Sequence, residues 1–284
     1  MGGGGGVRKN TARSAPAPRS VDLANFSATG QSSPMRTDRD DRYQLDHIAF
    51  GVADVAAVPA FLVGGLRGRP LAAGPGIGFR WWQWEFARGG TLEVLEPDGP
   101  SGGFVDRFLK SRGPGVHHVT FKVPDLVRAA DRARSLGYGV VGYDDRSPSW
   151  KECFLHPKQA HGIVVQLAES NPDLESTDPE RTPFPESPEP EGSPADILGV
   201  KLRAHSESAA LRQWSTLLGG RLDPAGPVLR FRWDDSPLSI AVAIDPRGEE
   251  GPLAIEIDPA TGCALPEGPH PVLGIVFAKA ESES

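Results

Sequence analysis

The chain repeats itself, and the repeat limits what it can become. The segment His47-Ile-Ala-Phe-Gly-Val-Ala-Asp-Val55 matches His118-Val-Thr-Phe-Lys-Val-Pro-Asp-Leu126 in residue class at nearly every position, an offset of 71 (47 to 118). Farther on, Gly89-Gly-Thr-Leu-Glu93-Val-Leu-Glu96 lies over Gly162-Ile-Val-Val-Gln166-Leu-Ala-Glu169 at an offset of 73 (93 to 166). A unit duplicated with so little slippage predicts two similar half-sheets. Neither half can cover its own apolar face, so the two must pack together and can share a cleft.

The order within a unit follows from local chemistry. Each opening segment alternates apolar and polar residues as a strand does, then meets an Asp, Asp54 or Asp125, that can cap a helix. The second helix, over 126–136, stops at Gly137. The first, over 55–63, holds Pro59 in its opening turn and ends at Gly64-Gly65. Strand-like runs follow at 78–86 and 91–95 in the first unit and at 152–155 and 163–167 in the second. The reading is an α+β fold of paired βαβββ modules over 43–170. A fainter third copy occupies 196–284, with a strand at 198–202, a helix at 208–218 before Gly219-Gly220, strands at 228–233, 238–244 and 253–257, and a last run at 272–278. This degenerate third βαβββ module has Val200 where the others have His47 and His118. Residues 1–42, opening on Gly2 to Gly6, read as a disordered tail, and 171–195, dense in Pro, Glu, Asp and Ser, as a linker.

Composition removes several function classes. The net charge of -7 over 284 residues argues against a surface that tracks phosphates, so nucleic acid is not an expected partner. Cys153 and Cys263 lie far apart with no clustered spacing, which argues against a disulfide framework or a thiolate zinc site. No apolar run suits a membrane span or a secretory leader, and the expected location is the cytoplasm. A small-molecule substrate is the remaining partner.

The polar residues of the repeat carry the chemistry. Alternation places His118, not His117, in register with His47, so each opening strand offers one imidazole to one face. Each closing strand, otherwise apolar, offers one oxygen donor at an equivalent position, Glu93 or Gln166. Two half-buried histidines alone would be ordinary strand residues. Two in register, each joined by a polar residue that is costly to bury unpaired, predict one divalent metal ion held by His47, Glu93, His118 and Gln166. The donor set suits Zn, Ni, Co, Mn or Fe(II) alike. A single anionic ligand leaves the ion electrophilic, as in catalytic sites. His117 faces away, and His156 and His161 flank the turn at Pro157-Lys158.

The run Trp81-Trp82-Gln83-Trp84-Glu85-Phe86 depends on the hairpin that follows it. A two-residue loop puts Trp82 and Trp84 on the Glu93 face as substrate-pocket residues, with Trp150 joining them. A three-residue loop turns Gln83 and Glu85 inward and makes Glu85 a second candidate base. The sequence leaves both open.

At Leu45-Asp-His-Ile-Ala-Phe, Glu93-Val-Leu-Glu-Pro, Gly115-Val-His-His-Val-Thr-Phe-Lys-Val-Pro-Asp and Phe154-Leu-His-Pro-Lys-Gln-Ala-His-Gly-Ile-Val-Val-Gln, the chain resembles the vicinal oxygen chelate superfamily of glyoxalases, bleomycin-resistance proteins and dioxygenases. The likeness is strongest to the methylmalonyl-CoA epimerase branch. It covers about 43–170 and implies a glyoxalase-like fold with metal ligands at His47, Glu93, His118 and Gln166. Epimerase relatives usually have Glu at the fourth position, so Gln166 shifts the expected catalytic carboxylate to Glu93. The resemblance implies a metal-dependent isomerase or epimerase acting next to the carbonyl of an acyl-CoA or similar molecule, with Glu93 and Glu85 as catalytic candidates. A glyoxalase-type lyase acting on a 2-oxoaldehyde–thiol adduct comes second, and a non-catalytic binding module third. It leaves a homodimer open.

Overall fold

The computed structural model describes Met1 and residues 42–99, 102–174, 182–223, 226, 228–260 and 262–280. Contacts divide the chain into Met1–Thr37 and Asp38–Ser284, and every described residue after Met1 belongs to the second unit. The expected tail over 1–42 falls almost entirely outside the described residues.

Strand β1 (Gln44–Gly51) leads, through the side-chain cap of Asp54 on Ala56 N (2.9 Å), into a 3-10 turn and a one-turn helix α1 (Pro59–Leu62). The helix expected over 55–63 is thus broken in two. Pro59, which has no N–H to bond back into a preceding turn, starts a new helix at its first position. Strands β2 (Arg69–Gly76), β3 (Phe79–Glu85) and β4 (Thr91–Pro97) complete the first module. Helix α2 (Phe104–Arg112) then leads to β5 (Gly115–Lys122) and α3 (Leu126–Ser135). Asp125 caps α3 by accepting from Arg128 N at 3.0 Å, and Leu126, Ala129, Ala130 and Ala133 form its buried stripe. Strands β6 (Val140–Asp144), β7 (Trp150–Leu155) and β8 (Val164–Ser170) close the second module. Sequence alternation missed β2, β6 and α2. The first carries Pro70, Gly74 and Pro75, tolerated because it is an edge strand whose conformation comes from pairing with β3.

The eight strands form one sheet in the order β2-β3-β4-β1-β5-β8-β7-β6. Antiparallel β1 and β5 make the central seam, and each has its own module's closing strand parallel beside it, β4 or β8. Ala49 is opposite Glu93, and Thr120 opposite Gln166, each two residues past its module's histidine, so the repeat register read from sequence is the register of the sheet.

The rest of the chain builds a second sheet with the same connectivity. Its strands are β9 (Asp196–Ala204), β10 (Arg221–Asp223), β11 (Leu229–Arg232), β12 (Ser239–Ile244), β13 (Gly251–Asp258) and β14 (Val276–Lys279). They are ordered β10-β11-β12-β9-β13-β14, with helix α4 (Glu207–Ala210) continuing as π-helical turns over Leu211–Leu217. The run expected at 253–257 as the last strand of a third module opens a fourth module instead. Strand β13 lies antiparallel to β9 as β5 does to β1, and β14 lies parallel to β13 as β8 does to β5. Even the bulges correspond: register shifts at Leu45/His47 and Ala49/Phe50 recur at Ile197/Gly199 and Lys201/Leu202. The position equivalent to His47 is therefore Gly199, one residue before the expected Val200. By the same pairing, Ala241, Ala254 and Ala278 stand where Glu93, His118 and Gln166 do.

One continuous core joins the two sheets. The rings of Phe121 and Trp233 lie 4.9 Å apart and those of Phe61 and Phe277 4.8 Å, all from residues in the shared buried cluster. The segment 171–195, expected to run unanchored, is tied down at Pro183, Phe184 and Ala195. Trp82 Nε1 donates to Pro183 O at 2.9 Å, Phe184 packs edge-on against Trp84, and Ala195 bridges Leu66 O and Ala87 N, both at 2.9 Å. Among the described residues no helix is long and apolar enough to cross a membrane.

Candidate metal centre

On the face of the first sheet opposite the shared core, His47, Glu93 and His118 come together with ligand atoms within 4.8 Å of one another. All three are buried, at 2%, 8% and 4% exposure. The Nε2 atoms of both histidines point at the same oxygen, Glu93 Oε1, 3.5 Å from His47 and 3.7 Å from His118. Donors about 2.1 Å from a shared centre would stand ~3.0–3.4 Å apart, so the cluster is close to ligating geometry as it stands. His118 Nε2 is buried without a hydrogen-bond partner, a costly state that a cation ligand would relieve. By this measure the residues fit a divalent ion.

Neighbours hold each imidazole by its other nitrogen. Asp46 Oδ2 lies 2.8 Å from His47 Nδ1, and His117 Nδ1 lies 2.9 Å from His118 Nδ1. Outer partners of this kind turn Nε2 inward and fix the ring. His117 itself packs between Phe104 and Phe108 of α2, away from the cluster, as alternation requires. The two cluster histidines carry opposite charge tendencies. Burial depresses His47, but the Glu93 carboxylate and the hydrogen bond to Asp46 outweigh it and raise the pKa to about 9. For His118, burial and then the neighbouring His117 and His47 push the pKa well below the usual value, with Gln166 acting weakly the other way. Burial takes His117 down to about 4.

Gln166 stands beside the three, buried at 7%. Its Oε1 accepts from Thr120 Oγ1 at 2.6 Å, and the same hydroxyl is 2.9 Å from His47 Nε2. Its Nε2 donates to Glu152 Oε2 at 2.7 Å, and Trp150 Nε1 donates to that oxygen at 2.8 Å. Trp150 therefore reaches the site through Glu152. Trp82 and Trp84 do not. Ala87, Arg88 and Gly89 form a three-residue loop closed by Phe86 N bonding Gly90 O, with Arg88 and Gly89 at φ 58 and 85. That length pairs Gln83 with Glu93, whose Oε2 accepts from Gln83 Nε2 at 2.9 Å, and turns both tryptophans into the core, among its largest buried side chains. Glu85 shares the Gln83 face but sits exposed at the end of β3, opposite Thr91. His156 caps the turn at Lys158 as expected. His161, at φ 55 in that turn, instead reaches Glu250 Oε1 at 3.1 Å in the second sheet's half.

Reading by repeat alone missed Asp46, Thr120 and Glu152. Thr120 lies two residues past His118 on the same face and was within reach of strand parity, whereas Asp46 adjoins His47, where parity sends it to the other face, and it reaches Nδ1 from the register shift between Leu45 and His47. Glu152 had no such signal, since its position in the first module is held by Trp81.

Residues 46–154 match the family described as the Glyoxalase/Bleomycin resistance protein/Dioxygenase superfamily. A curated ethylmalonyl-CoA/methylmalonyl-CoA epimerase of Cereibacter sphaeroides is 33% identical over 82 residues, covering 27% of this chain and 59% of the relative. The match thus spans little more than half of that relative's length. The solved methylmalonyl-CoA epimerase of Mycobacterium tuberculosis is 27% identical over 46% of this chain and 89% of its own, with a TM-score of 0.42. A mutant 4-hydroxymandelate synthase of Streptomyces coelicolor aligns over 76% of this chain and 71% of its own at 14% identity and a TM-score of 0.52, a likeness of fold across both sheets.

Proposed function

Residues 46–154 are a domain of the Glyoxalase/Bleomycin resistance protein/Dioxygenase superfamily, and from that premise we propose that the chain is a divalent-metal-dependent isomerase or epimerase that moves a proton next to a carbonyl. The observation that carries the reading is the convergence of two imidazole Nε2 atoms on Glu93 Oε1, one of them buried and unpartnered. His47, Glu93, His118 and Gln166 would hold the ion. When bound, such an ion polarises a carbonyl and makes the adjacent C–H acidic.

The chain's own residues supply the proton transfer and the orientation. Glu93 takes the proton from the carbon at a carboxylate oxygen, and inversion is completed by a proton given to the opposite face from a second carboxyl group, while Gln83, bonded to Oε2, steadies Glu93 in the cleft. The Gln166 amide can neither take nor give that proton. Glu85 is the second carboxylate proposed for the reaction, at the open end of β3 on the Glu93 face. Trp150, held by Glu152, is proposed to flank the substrate. The epimerase relative at 33% identity supports an acyl-CoA thioester as substrate class.

The test pairs metal analysis with exchange. The protein is expected to hold one divalent ion per chain and to catalyse solvent-deuterium incorporation at the α-carbon of an acyl-CoA thioester, followed by mass spectrometry. Exchange on a 2-oxoaldehyde–thiol adduct alone would move the reading to a glyoxalase-type lyase. A bound ion with no exchange on either class would leave a binding module.

A further inference from the structure

An amide and a carboxylate stand beside the cluster in each module, and the two pairs are crossed. In the first module the carboxylate is inside and the amide outside, Gln83 Nε2 donating to Glu93 Oε2 at 2.9 Å. In the second the amide is inside and the carboxylate outside, Gln166 Nε2 donating to Glu152 Oε2 at 2.7 Å. An ionised carboxylate has no proton to give, so it can receive only the NH2 end of a neighbouring amide. Glu152 is itself held, since Trp150 Nε1 donates to the same oxygen at 2.8 Å. The opposite end of the amide, Gln166 Oε1, is thereby directed to Thr120 Oγ1, which also touches His47 Nε2.

We infer that Glu152 is a positioning residue for the ion, fixing the Gln166 amide so that its oxygen, and not its NH2, faces His47, Glu93 and His118. The two ends of a glutamine amide have nearly the same shape and opposite hydrogen-bonding character, and an NH2 aimed at a cation repels it. A carboxylate outside the amide removes that ambiguity. The second module thereby offers an oxygen donor without adding charge, and Glu93 stays the only anionic donor among the four. This inference rests on the metal-site reading above.

Cobalt(II) titrated into the full chain, followed by its visible ligand-field absorption, reports affinity and donor set without turnover. The unsubstituted protein is expected to take one equivalent. Glu152→Gln can offer either end to Gln166, so cobalt binding is expected to weaken about tenfold to a hundredfold, the range for loss of an outer-shell partner, with a changed spectrum. In a Gln166→Glu background the inner group presents an oxygen at either end, so adding Glu152→Gln there is expected not to weaken cobalt binding relative to Gln166→Glu alone. Equal affinity and an unchanged spectrum in Glu152→Gln would overturn the positioning role and leave the ion site standing. A loss of the same size when Glu152→Gln is added to Gln166→Glu would overturn it too, by making Glu152 merely structural. If the unsubstituted protein takes no cobalt, the metal-site reading falls with it.

Discussion

Glu93 has two roles in the proposed reaction, and they are separable by substitution. Its amide replacement keeps an oxygen donor and the shape of the side chain but loses the base. Glu93→Gln is therefore expected to hold the metal more weakly, since the Gln83 amide cannot fix which end of the new amide faces the ion, while at saturating metal proton exchange falls on the order of 10²–10⁴-fold, the usual contribution of a positioned base. Metal analysis and isotope exchange on one preparation check both halves; unchanged exchange with metal bound would make Glu93 a ligand alone. Cys153 allows a second test at this scale. It is fully buried, and burial pushes its thiol up to about 12, so the thiolate that alkylating reagents need is scarce throughout the neutral and mildly basic range. Native protein at pH 8 is expected to be alkylated at the partly exposed Cys263 and not at Cys153, with Cys153 reacting only on unfolding. Peptide mapping after brief labelling reads this directly. Single residues were legible from sequence where the duplication supplied a second copy, as with His47 and His118. Glu152 was not, because no second copy of it exists.

At the scale of elements, the second sheet retains the strand plan of the first and replaces its chemistry. Gly199 occupies the His47 position at φ 146, where an added Cβ would come within 1.9 Å of Ser239 O, so no side chain can enter there. Arg230 and Glu256, at the positions of Gln83 and Thr120, close the equivalent cup with a two-point ion pair at 2.6 and 3.1 Å. Both side chains are largely buried, at 14% and 7% exposure. Removing one partner strands the other, so Arg230→Met is expected to cost about 3–5 kcal/mol in urea unfolding. The double change Arg230→Met/Glu256→Leu should cost clearly less, because no charge is left behind. If the double variant is as unstable as the single one, side-chain packing and not charge explains the loss. The hairpin between β3 and β4 shows the other side of element-level control. One extra loop residue inverts a whole strand, and with it Trp82 and Trp84 pass from cleft to core.

For the molecule as a whole, the shared core couples the two sheets. Phe121 of the first packs on Trp233 of the second, and Phe50 and Phe61 pack on Phe277. Residues 43–170 expressed alone would expose these faces to water, and the fragment is expected to aggregate or to unfold well below the temperature of the full chain, as thermal denaturation would show. Trp233→Ala in the full chain is expected to destabilise by about 3–5 kcal/mol, the cost of deleting a buried aromatic. A fragment as stable as the full chain would mean that the contact between the sheets is dispensable. The sequence by itself determined the module, the register of the two copies and the residues that converge, because duplicated strands keep the same parity and parity alone decides which face a side chain takes. It determined as well that the later region has no histidine at the His47 position, although the pairing puts Gly199 there and not Val200. Tertiary structure decided the rest: that 253–257 opens a fourth module, that 171–195 is anchored at Pro183, Phe184 and Ala195, that the tryptophans are core, and that Glu152 stands behind Gln166. Each of these depends on loop length or on partners far away in the chain, and neither quantity is written in the local alternation of residues.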